Sequence, residues 1–351
     1  MKKIINDPKQ VVEEMLQGMV KSYPDYLKRI PETGVVYRTD LDKIAGKVGI
    51  VSGGGSGHEP AHAGFVGAGM LSAAVCGEVF TSPTPDQIFE AIKKVNSGAG
   101  VFLVIKNYSG DVMNFEMAQD MAEMEDIPVK TIVVDDDVAV ENSTYTQGRR
   151  GVAGTILMHK ILGAAADQGA SLDEIAELAT AVLPNLKTVA VALSGATVPE
   201  VGKPGFVLAD DEIEYGVGIH GEPGYRREKL QPSKKLANEL IEKLRSEFRF
   251  RKGDSVAVLV NGMGATPLME QYVFMNDVLD QLAEEGLRVR FSKVGNLMTS
   301  LDMAGVSLTI LKIKDDWVDK LNYATHTIAW WLKGADWFVN SGRRKKMDGK
   351  I

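Results

Sequence analysis

Short apolar runs alternate along the chain with segments of helical periodicity, and that alternation predicts an α/β architecture. Residues 48–51 read as a buried strand running into a glycine loop. Residues 101–105 read as a second strand ending at Lys106, and residues 129–134 as a third ending at Asp135-Asp136-Asp137. Between them, Thr84-Pro85-Asp86-Gln87 carries a helix start: threonine at the N-cap, proline at the first helical position and glutamine three residues after the cap. Ile88, Phe89, Ile92 and Val95 supply that helix with an apolar face. Ser171-Leu172-Asp173-Glu174 is a second capping box, opening a helix that stops before Pro184. A second series follows, with strands over 188–193, 255–260, 287–291 and 307–313 and helices over about 233–248 and 266–285. The pattern predicts two α/β domains, 1–186 and 187–331, with mixed or parallel sheets flanked by helices. Ligands of open sheets collect at the C-terminal ends of strands, where residues 53–58, 106–111 and 262–264 fall.

Composition narrows the class. A chain of 351 residues exceeds what one core usually fills, and its 44% hydrophobic content is ordinary. A net charge of -7 and a pI near 5.4 argue against a nucleic-acid surface, which calls for clustered basic excess. Cys76 is the only cysteine, which excludes an internal disulfide and fits a reducing cytoplasm. The start, Met1-Lys2-Lys3, meets Asp7, Pro8 and Lys9 before any apolar stretch develops, so no signal peptide is expected. No run approaches the roughly 18 apolar residues of a spanning helix, so no membrane is expected as a partner. Residues 332–351 are basic and poor in apolar residues, and read as a disordered tail or an addition for expression.

The candidate chemistry centres on Gly216-Val217-Gly218-Ile219-His220-Gly221-Glu222-Pro223-Gly224. Glycines let a turn take positive φ and let a ligand approach the main chain, so the imidazole of His220 is expected to face a cavity. A neutral imidazole nitrogen is a nucleophile that adds to a ketone carbonyl. The glycine loop Ser52-Gly53-Gly54-Gly55-Ser56-Gly57-His58-Glu59-Pro60 invites a nucleotide reading and fails it. It ends Gly57-His58-Glu59 rather than Gly-Lys-Ser/Thr, and His58 stands where a dinucleotide loop has its third glycine. A neutral polar ligand approached by backbone groups fits better. His58-Glu59-Pro60-Ala61-His62 matches the zinc-peptidase pattern, which needs both histidines on one face of a continuous helix. Pro60 fits the first turn of a helix and leaves His58 in the preceding turn, so the two are expected not to converge; His62 becomes a structural residue of that helix, and no metal is assigned. Asp111 follows Lys106 at a strand exit and serves either as a helix cap or as a substrate contact. Asp135-Asp136-Asp137 reads as a solvated strand end, Arg149-Arg150 as a partner contact or a helix start, and His159 and His326 as structural.

Five segments together resemble one family: the glycine loop, the His220 motif, Phe80-Thr81-Ser82-Pro83-Thr84-Pro85-Asp86, Lys106-Asn107-Tyr108-Ser109-Gly110-Asp111 and Gly148-Arg149-Arg150-Gly151. The chain is similar, from Met1 to about Trp331, to the dihydroxyacetone-binding subunits of bacterial dihydroxyacetone kinases that use a separate phosphoryl-donating subunit. The resemblance implies that His220 holds dihydroxyacetone as a hemiaminal, with Gly55, Ser56, Gly57, Ser82 and Lys106 contacting its hydroxyls. It further implies that His58 and Asp111 handle the proton of the hydroxyl that attacks phosphorus, His58 being the favoured base. ADP and magnesium belong, on this resemblance, to the partner subunit, this chain binding no cofactor and forming a homodimer. Two other classes stay open at this level: a non-catalytic dihydroxyacetone sensor that coactivates transcription, and the zinc peptidase.

Overall fold

The computed structural model describes residues 2–332 except 142, 144 and 145. Apart from Leu332, the tail at 332–351 lies outside the described residues. Two six-stranded mixed sheets with helices packed on them make up the fold, in agreement with the α/β expectation. The first contains β1 (Leu27–Arg29), β2 (Val35–Arg38), β3 (Gly49–Ser56), β4 (Ala73–Val79), β5 (Val101–Lys106) and β6 (Val129–Val134) in the order β1-β2-β4-β3-β5-β6. Its β4, β3, β5 and β6 run parallel, and β1 and β2 add an antiparallel edge. The second holds β7 (Leu186–Ala192), β8 (Glu212–Tyr215), β9 (Arg226–Lys229), β10 (Ser255–Gly262), β11 (Arg288–Gly295) and β12 (Gly305–Lys312) in the order β11-β10-β12-β7-β8-β9. Only β10 and β11 are parallel there.

The helices are α1 (Val11–Ser22), α2 (Pro85–Val95), α3 (Ser109–Met124), α4 (Thr155–Asp167), α5 (Leu172–Val182), α6 (Ser233–Arg245), α7 (Leu268–Glu284) and α8 (Asp315–Leu321). Helix α4 is buried from Thr155 to Ala166, as a helix apolar nearly all round must be. One apolar cluster joins it to Ile50, Phe102 and Val104 of the first sheet and to Ala257, Leu259 and Leu311 of the second. The capping box of α5 forms, with Ser171 and Glu174 bonding reciprocally. That of α2 does not, because Gln87 turns away to accept from the backbone N–H of Gly34 at 2.7 Å.

Three further expectations need correction. The run Gly53-Gly54-Gly55-Ser56 is the end of β3, paired with β4 through Gly53↔Val75 and Gly55↔Gly77, and is no loop. Glycine is required because neighbouring backbone occupies the space of a side chain: a Cβ on Gly53 would lie 2.4 Å from the carbonyl oxygen of Val75, and one on Gly55 2.5 Å from the backbone nitrogen of Thr81. No α-helix follows Pro60; His62 precedes a single 3-10 turn, Ala63–Phe65. Asp136 and Asp137 are buried rather than solvated. Asp136 accepts from the N–H groups of Val152 and Gly154, both at 2.8 Å, and Asp137 pairs with Arg150, so a polar run that looks solvated ties the chain after β6 to the entry of α4.

Lys160 lies inside α4 and donates to the carbonyls of Lys320 and Tyr323, at 2.8 and 3.0 Å, at the end of α8. Burial pulls its ammonium down to about 7, against the opposing charge of Asp167. The unfolded chain therefore binds this proton more tightly, and the stability linked to Lys160 rises as pH climbs from about 7 towards the ordinary lysine value. Urea midpoints of wild type and Lys160→Met at pH 7 and pH 10 test this: the variant is expected to lose about 3 kcal/mol of the rise. An identical pH dependence in both proteins would remove Lys160 from the account.

Candidate functional site

The C-terminal ends of β3 and β5 face the hairpin joining β8 to β9, and a cavity of about 530 Å³ opens between them. Gly55, Phe80, Ser82, Tyr108, Gly110, Asp111 and His220 line it. His220 sits in the glycine-rich connection of that hairpin, closed by the Tyr215↔Arg226 pair. Gly216 and Gly221 take φ of +82°, which turns the chain sharply on either side of the imidazole.

Two imidazoles meet at the floor. His58 Nε2 and His220 Nε2 are 3.1 Å apart. On the far side of each ring, Nδ1 faces a fixed oxygen: the carbonyl of Thr299 at 2.7 Å for His58, and Glu222 Oε1 at 3.1 Å for His220. A carbonyl only accepts, so His58 Nδ1 donates and its Nε2 carries the lone pair. Burial opposes ionisation of Glu222, yet the hydrogen bond and charge of His220, with Arg150 adding, hold its carboxyl down at about 2. An ionised carboxylate likewise only accepts, so His220 Nδ1 donates too. Burial, with the charges of His220 and Lys106 adding, keeps His58 well below the ordinary imidazole value. Phe80 stacks on His58 at 5.1 Å between centroids, and Tyr108 meets His220 edge-on at 4.6 Å. Phe80 takes φ +54°, an unfavourable conformation for a bulky side chain, and its ring spans both imidazoles.

The second constellation is an ion pair. Asp111, in the first turn of α3, receives Lys106 Nζ on Oδ2 at 2.9 Å and Ser82 Oγ on Oδ1 at 2.5 Å. Lys106 also donates to the carbonyl of Gly53 at 3.2 Å. The pair is buried, with side-chain exposures of 1% and 4%. The cap of α3 is Tyr108, so Asp111 stands inside the helix, aimed at the cavity.

Of the residues picked out by sequence, Gly55, Ser82, Asp111 and His220 line the cavity, while His58 and Lys106 reach it through His220 and Asp111. The Ser56 hydroxyl donates away to Gly77, and the Gly57 N–H donates to the carboxylate of Glu59. Residues 262–264 stand behind the lining, where Met263 packs with Met303. His62 does not join His58; its Nδ1 meets His159 Nε2 at 2.9 Å, giving His159 the partner its sequence context lacked. No group of three His, Cys, Asp or Glu placed to hold a metal occurs among the described residues. Sequence reading assigned no role to Glu222, Thr299, Phe80 or Tyr108. Glu222 has a local signal, a carboxylate two residues beyond a histidine in a glycine turn. Thr299 has none, lying 241 residues from the ring it orients.

Arg150 is neither a helix start nor a surface contact: it is wholly buried, pairs with Asp137 at 2.7 Å and donates to the carbonyl of Gly216 at 2.8 Å. It thereby pins the base of the His220 hairpin.

A mixed two-sheet fold with a histidine-centred cavity at converging strand ends defines a class of small-ligand protein, and the chain belongs to the Dak1 domain family, whose profile matches residues 17–329. It is 65% identical over 329 residues, 93% of this chain and 98% of the relative, to the dihydroxyacetone-binding subunit DhaK of the PTS-dependent dihydroxyacetone kinase of Lactococcus lactis. It is 49% identical to the DhaKLM operon coactivator DhaQ of the same organism, over 93% of this chain and all of the relative. Among solved structures, the C. freundii dihydroxyacetone kinase in complex with AMP-PNP and Mg2+ aligns with a TM-score of 0.86 at 33% identity, covering 94% of this chain and 61% of that one.

Arg150→Met leaves Asp137 buried without a countercharge and the Gly216 carbonyl without its donor. Urea denaturation is expected to show a loss of about 3–5 kcal/mol. A loss under about 1 kcal/mol would mean that other contacts hold the hairpin.

Proposed function

We propose that this chain is the substrate-binding subunit of a dihydroxyacetone kinase, capturing the ketone as a hemiaminal on His220 and presenting its hydroxyl to a phosphoryl donor carried by a separate subunit. The observation that carries the reading is His220 in the cavity lining, its Nδ1 held by the Glu222 carboxylate so that Nε2 is the nitrogen left to bond a ligand. Two Nε2 atoms at 3.1 Å attract only with a proton between them, and that proton balances the addition. His220 Nε2 bonds to the keto carbon, the carbonyl π pair becomes a lone pair on oxygen, and the oxygen takes the shared proton. The adduct is an imidazolium against Glu222, and His58, left neutral, accepts from the new hydroxyl. A triose has little surface to bury, so a bond open only to carbonyl compounds rejects glycerol, which has similar hydroxyls.

Phosphoryl transfer then rests on alignment and charge. Asp111 lines the cavity while His58 is covered by His220, so the lining favours Asp111 as acceptor of the attacking hydroxyl's proton, with His58 holding the hemiaminal. Lys106 and Ser82 fix the Asp111 carboxylate from both oxygens. ADP and magnesium are assigned to the partner subunit, consistent with relatives named as one subunit of a PTS-dependent kinase. Cytoplasmic location and a homodimer complete the proposal. A non-catalytic dihydroxyacetone sensor, the reading that the DhaQ coactivator relative keeps in view, would need the histidine and no proton acceptor. The buried Lys106–Asp111–Ser82 network beside it is what a transfer reaction uses, and it favours the kinase.

Rapid intact-mass measurement after incubation with dihydroxyacetone is expected to show a labile adduct that disappears in His220→Ala; an adduct surviving in the variant would exclude His220 as the nucleophile. His58→Asn and Asp111→Asn are each expected to lower kcat about 10²- to 10⁴-fold in a coupled assay with the partner subunits. The Asp111 variant is expected to retain adduct formation. Undiminished kcat in either would remove that residue from the mechanism.

A further inference from the structure

Helix α3 does more than place Asp111. Gly110 lines the cavity, and at 3.6 residues per turn it shares one face, about 80° wide, with Met113, Met117, Met121 and Met124. The buried side of the helix, Phe115, Ala118 and Ala122, lies elsewhere on the circumference. Met113, Met117 and Met124 are 59%, 51% and 78% exposed, three large apolar side chains open to solvent on one helix. The methionine ridge therefore starts at the cavity mouth and runs outward for about 21 Å. Glu116, Asp120 and Glu123, all exposed, follow one flank of it, and α3 carries no basic residue.

We infer that this ridge is the docking surface for the phosphoryl-donating subunit, a protein partner that meets it with an apolar groove edged by basic side chains. The inference rests on the function proposed above, since a donor must cover the cavity mouth at Gly110 to reach a substrate held on His220. A body seated there and extending along α3 lies over the methionines. Methionine suits such a contact: it is polarisable and unbranched, adapts to a partner's shape, and is enriched at protein interfaces. The acidic flank steers a basic rim and gives the association a dependence on ionic strength.

The test uses the full chain with the remaining subunits of the Lactococcus lactis PTS-dependent kinase, whose binding subunit is 65% identical. Two double variants, Met113→Glu with Met117→Glu and Glu116→Lys with Asp120→Lys, are compared with wild type and with Met269→Glu, a change in an exposed apolar patch at the start of α7. Both α3 variants are expected to raise the KM for the donor subunit about tenfold or more, with the dihydroxyacetone adduct unchanged by mass and Met269→Glu at the wild-type value. Donor KM within about twofold of wild type in both α3 variants overturns the inference while leaving the kinase reading intact. Absence of product from wild type with all subunits present sinks the kinase reading, and the inference with it.

Discussion

The site depends on a constraint applied behind two rings rather than between them. Each imidazole has its Nδ1 committed to an oxygen that only accepts, Thr299 O for His58 and the Glu222 carboxylate for His220. Both Nε2 atoms are thereby turned towards each other, 3.1 Å apart. Neither ring is free to flip into a better pairing, because Phe80 stacks on one and Tyr108 abuts the other. Both oxygens come from the second sheet: Thr299, in the segment after β11, reaches across to His58 at the end of β3 in the first sheet, and Glu222 lies with His220 in the β8–β9 hairpin. Further bonds across the same seam, Thr299 N–H to His58 O and Leu301 N–H to Gly57 O, keep the ring and its acceptor in register. The joining of the two sheets and the chemistry of the two histidines are one structural fact.

Around this pair the protein spends polar groups where they are costly to bury. Lys106 and Asp111 are almost fully desolvated, and such a pair contributes little net stability compared with apolar residues of the same volume. What it provides is placement: a carboxylate fixed through both oxygens, at the first turn of a helix, beside a cavity. Arg150 plays a comparable part under the hairpin, linking Asp137 to the Gly216 carbonyl. Gly218 lies so close to both Glu222 and Arg150 that an added Cβ would fall 2.2 Å from Glu222 Oε2 and 2.7 Å from Arg150 Nη1, which explains a glycine where no unusual φ demands one.

Much of this was legible in the chain where a pattern is local. The strands at 101–105 and 129–134, the α5 capping box and the cavity-lining histidine of the glycine motif all follow from short-range periodicity and turn chemistry. What escaped depends on distant neighbours. Short strands at or next to a sheet edge, such as β1, β8 and β9, have little pattern of their own, and β9 is charged throughout. A polyglycine run looks like a loop because its reason for being glycine, the close approach of the Val75 and Phe80 backbone, comes from elsewhere in the chain. Asp136 and Asp137 look solvated for the same reason, their backbone and arginine partners arriving 13 to 18 residues later.

The difference in basicity between the site's groups bears on how long a captured ligand would stay. With its carboxyl held at about 2, Glu222 is far too weak a base to strip Nδ1 of His220. An adduct formed at Nε2 therefore remains an imidazolium, whose departure as a neutral imidazole needs only loss of the hemiaminal hydroxyl proton. His58, kept neutral by burial and by neighbouring positive charge, presents a lone pair for that proton. A stronger base at position 222 would give a neutral adduct and a poorer leaving group. On the proposed mechanism, the same carboxylate that orients His220 would thus keep the bond reversible, as a carrier that must release its product requires.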